Sequence, residues 1–120
     1  MTKKILLVED DKTTASIFLM ELEDAGFDSV LAQDGAQALE CLNQQAFDGI
    51  ISDLYMPNLD GLQLIDAIKA MSLNINTIII SGSVNAETRS LLKEKGVEHV
   101  FIKPPTDEQL ETIFTLLREG

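Results

Sequence analysis

Basic residues are scarce in this chain: 9 Lys plus Arg stand against 20 Asp plus Glu, for a formal net charge of -11. No Lys/Arg cluster exists to neutralise phosphates, which excludes nucleic acid and anionic membrane surfaces as direct partners and favours cations or basic protein surfaces. Cysteine occurs once, at Cys41, so no disulfide framework can form within the chain and the residue reads as a small apolar filler in a helix. The single histidine, His99, has no neighbouring Cys or His partner in sequence to make a transition-metal site with. After Met1-Thr2-Lys3-Lys4 only four apolar residues precede the first acids, too few for a signal segment or a membrane span. Low-complexity tracts, internal repeats and Pro/Gly/Ser linkers are missing too. A cytoplasmic location is expected.

The 120 residues suit one domain with a single core, expected to span residues 1–120. The chain ends soon after an apolar helix at Leu116 and Leu117, so any output domain is expected to lie outside this sequence. Five short apolar runs rich in β-branched residues alternate with five helix-like segments. The runs are Lys4 to Glu9, Asp28 to Ala32, Gly49 to Asp53, Asn76 to Ser81 and His99 to Lys103. Strands separated by helices imply right-handed crossovers and a parallel sheet covered on both faces, a (βα)5 sandwich of the α/β class.

Each helix carries punctuation. The first, Lys12 to Ala25, puts Ala15, Phe18, Leu22 and Ala25 on one stripe and stops at Gly26. Ile17 and Met20 fall off that stripe. The second follows Asp34 as N-cap and runs to Gln45, and the third starts at Asp60-Gly61 with Leu62, Ile65 and Ile68 inward. The fourth begins near Asn85 and closes at Gly96. The last opens with Thr106 and Gln109 in capping-box spacing and turns Leu110, Ile113, Phe114 and Leu117 inward.

In an open parallel sheet, ligands bind beyond the carboxyl ends of the strands. Polar residues at those ends are Glu9 and Asp10, Asp53, Ser81 and Lys103, which are expected to converge at one rim. The first strand-to-helix turn has no glycine, and neither a dinucleotide fingerprint nor a P-loop occurs anywhere. Carboxylates stand there instead, and two of them about 5 Å apart repel by roughly 3 kcal/mol at an effective dielectric near 20. Protonation or a divalent cation must relieve that repulsion. Oxygen-only ligands in an intracellular setting favour Mg2+. Asp11, third in the acidic run, reads as the head of the first helix rather than a ligand. Taken singly, three acids after a strand could cap a helix from solvent, and Asp53 could be a turn residue before Pro57.

Four segments carry a family likeness: Leu7-Val8-Glu9-Asp10, Ser52-Asp53-Leu54-Tyr55-Met56-Pro57-Asn58-Leu59-Asp60-Gly61, Ile80-Ser81-Gly82 and Ile102-Lys103-Pro104. With these motifs at these separations the chain resembles, over nearly its whole length, the receiver domain of two-component response regulators. The resemblance implies a flavodoxin-like, doubly wound five-stranded sheet of order 2-1-3-4-5. It implies that Asp53 takes a phosphoryl group from a phosphohistidine on a sensor histidine kinase or phosphotransfer protein. Asp10 and Asp53 would hold Mg2+ with the Tyr55 backbone carbonyl, and Glu9 would act directly or through water. Ser81 and Lys103 would each meet a phosphoryl oxygen, moving the loops after the third and fourth strands. Such a protein is a signalling switch with no external substrate turnover. Its state is expected to be monomer or phosphorylation-dependent dimer, and its output a downstream protein or a tethered output domain, reached through Asn85 to Lys103 and the final helix.

Some positions depart from the family's habit. Val100 stands where an aromatic is common, with Phe101 next to it; Gly82 replaces a common Ala, and Pro105 doubles the proline after Lys103. The Lys103–Pro104 bond is expected to be cis, as is typical of the family. Tyr55, bulky beside the phosphoacceptor, is expected to restrict attacking water. Ile17 and Met20 are expected to form a docking patch for the kinase or phosphotransfer protein. Two other readings compete: a degenerate receiver that binds partners without phosphorylation, and a haloacid-dehalogenase-like Mg2+-dependent phosphatase. The phosphatase is disfavoured because the nucleophile candidate ends the third strand and residue 55 is not an acid.

Overall fold

The computed structural model describes residues 2–119; Met1 and Gly120, the ends of the expected domain, lie outside the described residues. Strands and helices alternate: β1 Lys4–Val8, α1 Lys12–Asp24, β2 Asp28–Ala32, α2 Gly35–Gln44, β3 Gly49–Ser52, α3 Gly61–Ala70, β4 Asn76–Ser81, α4 Ala86–Glu94, β5 His99–Ile102 and α5 Asp107–Glu119. All strand pairings are parallel and the order is β2-β1-β3-β4-β5. This is the doubly wound flavodoxin-like arrangement, and its strand order reverses between β1 and β3.

Side-chain alternation along each strand sorts the core into two layers. Ile5, Leu7, Ile51, Ile78 and Ile80 face α1 and α5, where they meet Phe18, Leu22, Ile113 and Phe114. Leu6, Val8 and Ile50 face α2 and α3, while Ile79 joins Leu54, Ile65 and Leu92 under α3 and α4. Because both faces are covered, the central strands are continuous apolar runs; Ile5, Leu6, Ile50, Ile78 and Ile79 are 0% exposed.

Local signals set the helix boundaries. Asp11, Asp34, Asp60 and Asn85 each cap a helix by accepting a backbone N–H three residues on, and Asp60 with Gln63 completes a reciprocal capping box. Gly26 and Gly96 follow α1 and α4 at φ +90° and +88°, a conformation that costs side-chain-bearing residues energy and leaves glycine free to turn the chain.

Three strands are one residue shorter than their apolar runs predict, ending at Val8, Ser52 and Ile102 before Glu9, Asp53 and Lys103. In α3 the inward residues are Leu64, Ile65 and Ile68, with Leu62 only half-buried. The helix lies across two core clusters, Leu64 filling the one under α2 and Leu62 reaching the margin of the other. Ala25 and Leu110, expected inside, are half-buried at a helix end and a first turn.

Candidate functional site

The sheet topology aligns the carboxyl ends of β1, β3, β4 and β5, so residues far apart in sequence meet at one edge. After β1, β3 and β5 the next residue still donates its amide to the neighbouring strand. Glu9 donates to the Ala32 carbonyl at 3.0 Å, Asp53 to Val8 at 3.3 Å and Lys103 to Ser81 at 2.8 Å. The main chain at the site is thereby fixed by the sheet, and the side chains are left for chemistry.

Those side chains leave the ladder for a physical reason. Asp53 Oδ1 accepts the Leu54 amide at 2.7 Å and the Tyr55 amide at 3.3 Å, which turns the backbone out of β3. Glu9 Oε2 likewise accepts the Asp11 amide at 3.1 Å. Asp11 is committed elsewhere: it caps α1, and hydrogen bonds from the Thr14 hydroxyl and amide hold its carboxyl below the usual range.

Glu9, Asp10 and Asp53 each offer a carboxylate oxygen, and the three oxygens lie within 4.8 Å of one another. Glu9 and Asp53 are sequestered, with side chains 5% and 11% exposed, whereas Asp10 is exposed. The Lys103 ammonium answers this charge by donating to Glu9 Oε1 and, at 2.8 Å, to Asp53 Oδ2. Burial alone would lower the lysine's pKa, but hydrogen bonds to Asp53 and Glu9, reinforced by their charges, outweigh it and hold the ammonium above its ordinary value. Lys103 precedes a cis bond to Pro104, as the family resemblance implies.

The donor set suits a hard divalent cation: three carboxylates, with an exposed one among them, and no sulfur or imidazole. Among the described residues the Tyr55 carbonyl accepts no backbone hydrogen bond, so it keeps its lone pairs. Ser81 ends β4 fully buried at 0% exposure, and its Oγ has no hydrogen-bond partner among the described residues. A buried hydroxyl in that state forgoes about 1–3 kcal/mol.

Two residues that sequence reasoning passed over also shape the site. The Ser52 hydroxyl, itself buried, donates to the Asp53 carbonyl at 2.8 Å. Gly61 donates its amide to the Leu54 carbonyl at 2.9 Å, and a Cβ there would sit 2.5 Å from the Asp53 carbonyl oxygen. Both lie in the segment that carries the family likeness, and the Asp60-Gly61 step reads as a turn and a helix start, but sequence reasoning gave neither residue a role at the site.

Val100 and Phe101 point to opposite sheet faces. Val100 packs under α3 and α4 with Leu54 and Val97, whereas Phe101 packs on the α1/α5 side with Ile80 and Ile113. Phe101 therefore does not stand in for an aromatic at position 100. Around the rim, Tyr55 is 56% exposed, and Ile17 and Met20 on α1 are 57% and 64% exposed. A groove of about 380 Å3 beside Lys103 is lined by Ile17, Phe18, Glu21, Pro105 and Leu110 among others, and Met20 lies outside it.

A family model described as the response regulator receiver domain matches residues 5–115. The chain belongs to that family. Receiver domains are the phosphorylation-type signalling switches of two-component systems. Sensor histidine kinase RcsC of Escherichia coli is 30% identical over 115 residues, covering 96% of this receiver and 12% of the kinase. Transcription factor SKN7 of Chaetomium thermophilum is 36% identical over 115 residues, covering 92% of this receiver and 15% of that protein. Chemotaxis protein CheY4 of Vibrio cholerae has the same fold at a TM-score of 0.89 and 26% identity, with 98% of this receiver and 99% of that chain covered. The receiver thus spans a small part of either longer relative. Among the described residues no helix is long and apolar enough to cross a membrane.

Proposed function

We propose that this receiver is switched by phosphorylation of Asp53, with a phosphohistidine on a sensor kinase or phosphotransfer protein as donor. The observation that carries the reading is the Lys103 ammonium held between Asp53 and Glu9 at the carboxyl edge of the sheet. Asp53 Oδ1 is engaged by two main-chain amides, which fixes the carboxylate plane and leaves Oδ2, bound by no amide, to attack phosphorus. A P–O bond to Asp53 forms as the P–N bond of phosphohistidine breaks, and the released imidazole takes a proton from solvent. Fixed geometry and charge neutralisation supply most of what phosphoryl transfer needs.

Asp10, Asp53 and the Tyr55 carbonyl would hold Mg2+, with Glu9 bound directly or through water, and the ion would neutralise charge on the transferred group. Lys103 would pass from Asp53 Oδ2 to a phosphoryl oxygen. The partnerless Ser81 hydroxyl would donate to another, recovering the hydrogen bond it lacks in the resting protein. Ile17 and Met20, exposed beside the groove at Lys103, would receive the kinase or phosphotransfer protein. Leu91 of α4 and Ile102 of β5, 38% and 41% exposed, place apolar surface where a downstream protein, a tethered output domain or a second copy would bind. The protein would then act in the cytoplasm as a monomer or phosphorylation-dependent dimer, turning over no external substrate.

Intact-mass measurement after treatment with acetyl phosphate and Mg2+ tests the reading. A gain of one phosphoryl group that disappears in Asp53→Ala is expected. An unmodified wild-type chain would make this a phosphorylation-independent binding module instead.

A further inference from the structure

The loop from Asp53 to Asp60 is tied not only to its own strand but also to the first turn of α2. Asp34, the N-cap of that helix, divides its carboxylate between two tasks: Oδ1 accepts the Gln37 amide at 2.8 Å and Oδ2 accepts the Asn58 side-chain amide at 2.9 Å. Alongside, the Gly35 amide donates to the Leu59 carbonyl at 3.2 Å, and a Cβ on Gly35 would stand 2.4 Å from that oxygen. A side chain at position 35 would force the two backbones apart. Asn58 itself sits at φ +69°, a conformation that asparagine tolerates better than most residues and that aims its side chain back across the gap. The hydrogen bond joins residues 24 apart in sequence.

This latch lies three residues beyond Tyr55 in a loop with no regular structure of its own. The loop is held at its start by the Asp53 carboxylate and at its end by the Gly61–Leu54 bond and the Asp60 capping box. Between those anchors, Asn58 is the only side chain that reaches another element among the hydrogen bonds of the described residues. We infer that Asn58 and Asp34 form a positioning pair that holds the Tyr55 carbonyl in place as a cation ligand, so that the first turn of α2 sets the metal affinity of a site it does not touch. The inference rests on the metal reading given above. A carbonyl on a loose loop must be ordered when the ion binds, and the latch does that ordering in advance.

Mg2+ affinity, measured by calorimetry and by the emission of Tyr55, the only tyrosine in a chain without tryptophan, tests the latch. Asn58→Gly keeps the backbone conformation and removes the donor; Asp34→Ser keeps the helix cap and removes the second acceptor. Both are expected to weaken Mg2+ binding about tenfold, the lower end of what partners of metal ligands contribute. Their thermal midpoints in EDTA are expected to stay close to wild type. Asp34→Asn retains the cap through its oxygen and offers its NH2 to Asn58, whose amide flips to accept with Oδ1; it is expected to bind Mg2+ within about twofold of wild type, as a rescue by conservative exchange. Wild-type affinity in both Asn58→Gly and Asp34→Ser, or equal weakening in Asp34→Asn, overturns the latch while leaving the metal site standing. No Mg2+ binding by the wild-type chain overturns the metal reading and the latch with it.

Discussion

Replacing Lys103 with methionine keeps the aliphatic stem and removes the charge that sits between Glu9 and Asp53. Both carboxylates are sequestered, at 5% and 11% exposure, so solvent screens them poorly once the ammonium is gone. With oxygens within 4.8 Å and an effective dielectric of about 20, their repulsion is about 3.5 kcal/mol. That figure falls inside the roughly 3–5 kcal/mol lost when one partner of a buried ion pair is removed. Urea unfolding in EDTA reads the loss: at a slope of about 1.5 kcal/mol per molar, a deficit of about 3 kcal/mol lowers the midpoint by about 2 M. Adding Mg2+ supplies the missing positive charge, and it no longer competes with an ammonium for the same oxygens. The variant is therefore expected to gain more from Mg2+ than wild type does, narrowing the gap between them. A Lys103→Met midpoint within about 0.3 M of wild type in EDTA, or a gap that Mg2+ leaves unchanged, would refute the electrostatic reasoning.

Gly61→Ala places a Cβ 2.5 Å from the Asp53 carbonyl oxygen, and thermal unfolding should show a loss of about 1–3 kcal/mol; a native midpoint would mean the peptide yields without cost. Hydrogen bonds from the Gln37 amide and the Asn58 side chain hold the Asp34 carboxyl below its ordinary 3.8. A lowered folded-state pKa contributes stability above the unfolded value and loses it as pH falls through the folded one. The advantage of wild type over Asp34→Ala in acid unfolding should accordingly shrink below pH 3.8, and a gap that widens there contradicts the assignment. Changing Ile17 and Met20 to Asp and Lys should abolish phosphoryl uptake from a kinase while leaving acetyl phosphate labelling intact; joint loss of both would locate the damage in the fold. Tyr55→Asn should speed dephosphorylation in a phosphate-release assay, and an unchanged rate removes Tyr55 as a barrier to water.

The strands and helices were legible because their determinants are local. Isoleucine-rich runs mark strands buried on both faces, and Asp11, Asp34, Asp60 and Asn85 announce helix starts whatever surrounds them. The rim was legible for a different reason: parallel topology makes every strand end a neighbour of the next, so polar residues closing apolar runs had to converge. What stayed hidden depends on pairing across the chain. The Lys103–Glu9 contact spans 94 residues and the Asn58–Asp34 contact 24, and no periodicity encodes either. Ser52 looked like one more strand residue, although its hydroxyl holds the Asp53 carbonyl. Leu62 and Leu64 are two residues apart on one helix, and only the position of α3 over two clusters decides which is buried.

The charge balance of the rim ties the partnerless serine to the acids. Glu9, Asp10 and Asp53 against Lys103 leave two net negative charges, which one divalent cation cancels. A phosphoryl group on Asp53 would carry about -1.5 to -2 in place of the single carboxylate charge, so a site balanced by a divalent cation would become negative again. Nearby cationic side chains offer no further relief: among the described residues Lys103 is the one cation paired to these acids. The excess must fall on neutral donors. Ser81, buried at the end of the adjacent strand with an unused hydroxyl, is such a donor, and its carbonyl already accepts the Lys103 amide. Movement of Ser81 toward a phosphoryl oxygen would then pull on β4 and β5 together, carrying the change at Asp53 toward Ile102 on the edge strand and Leu91 on α4.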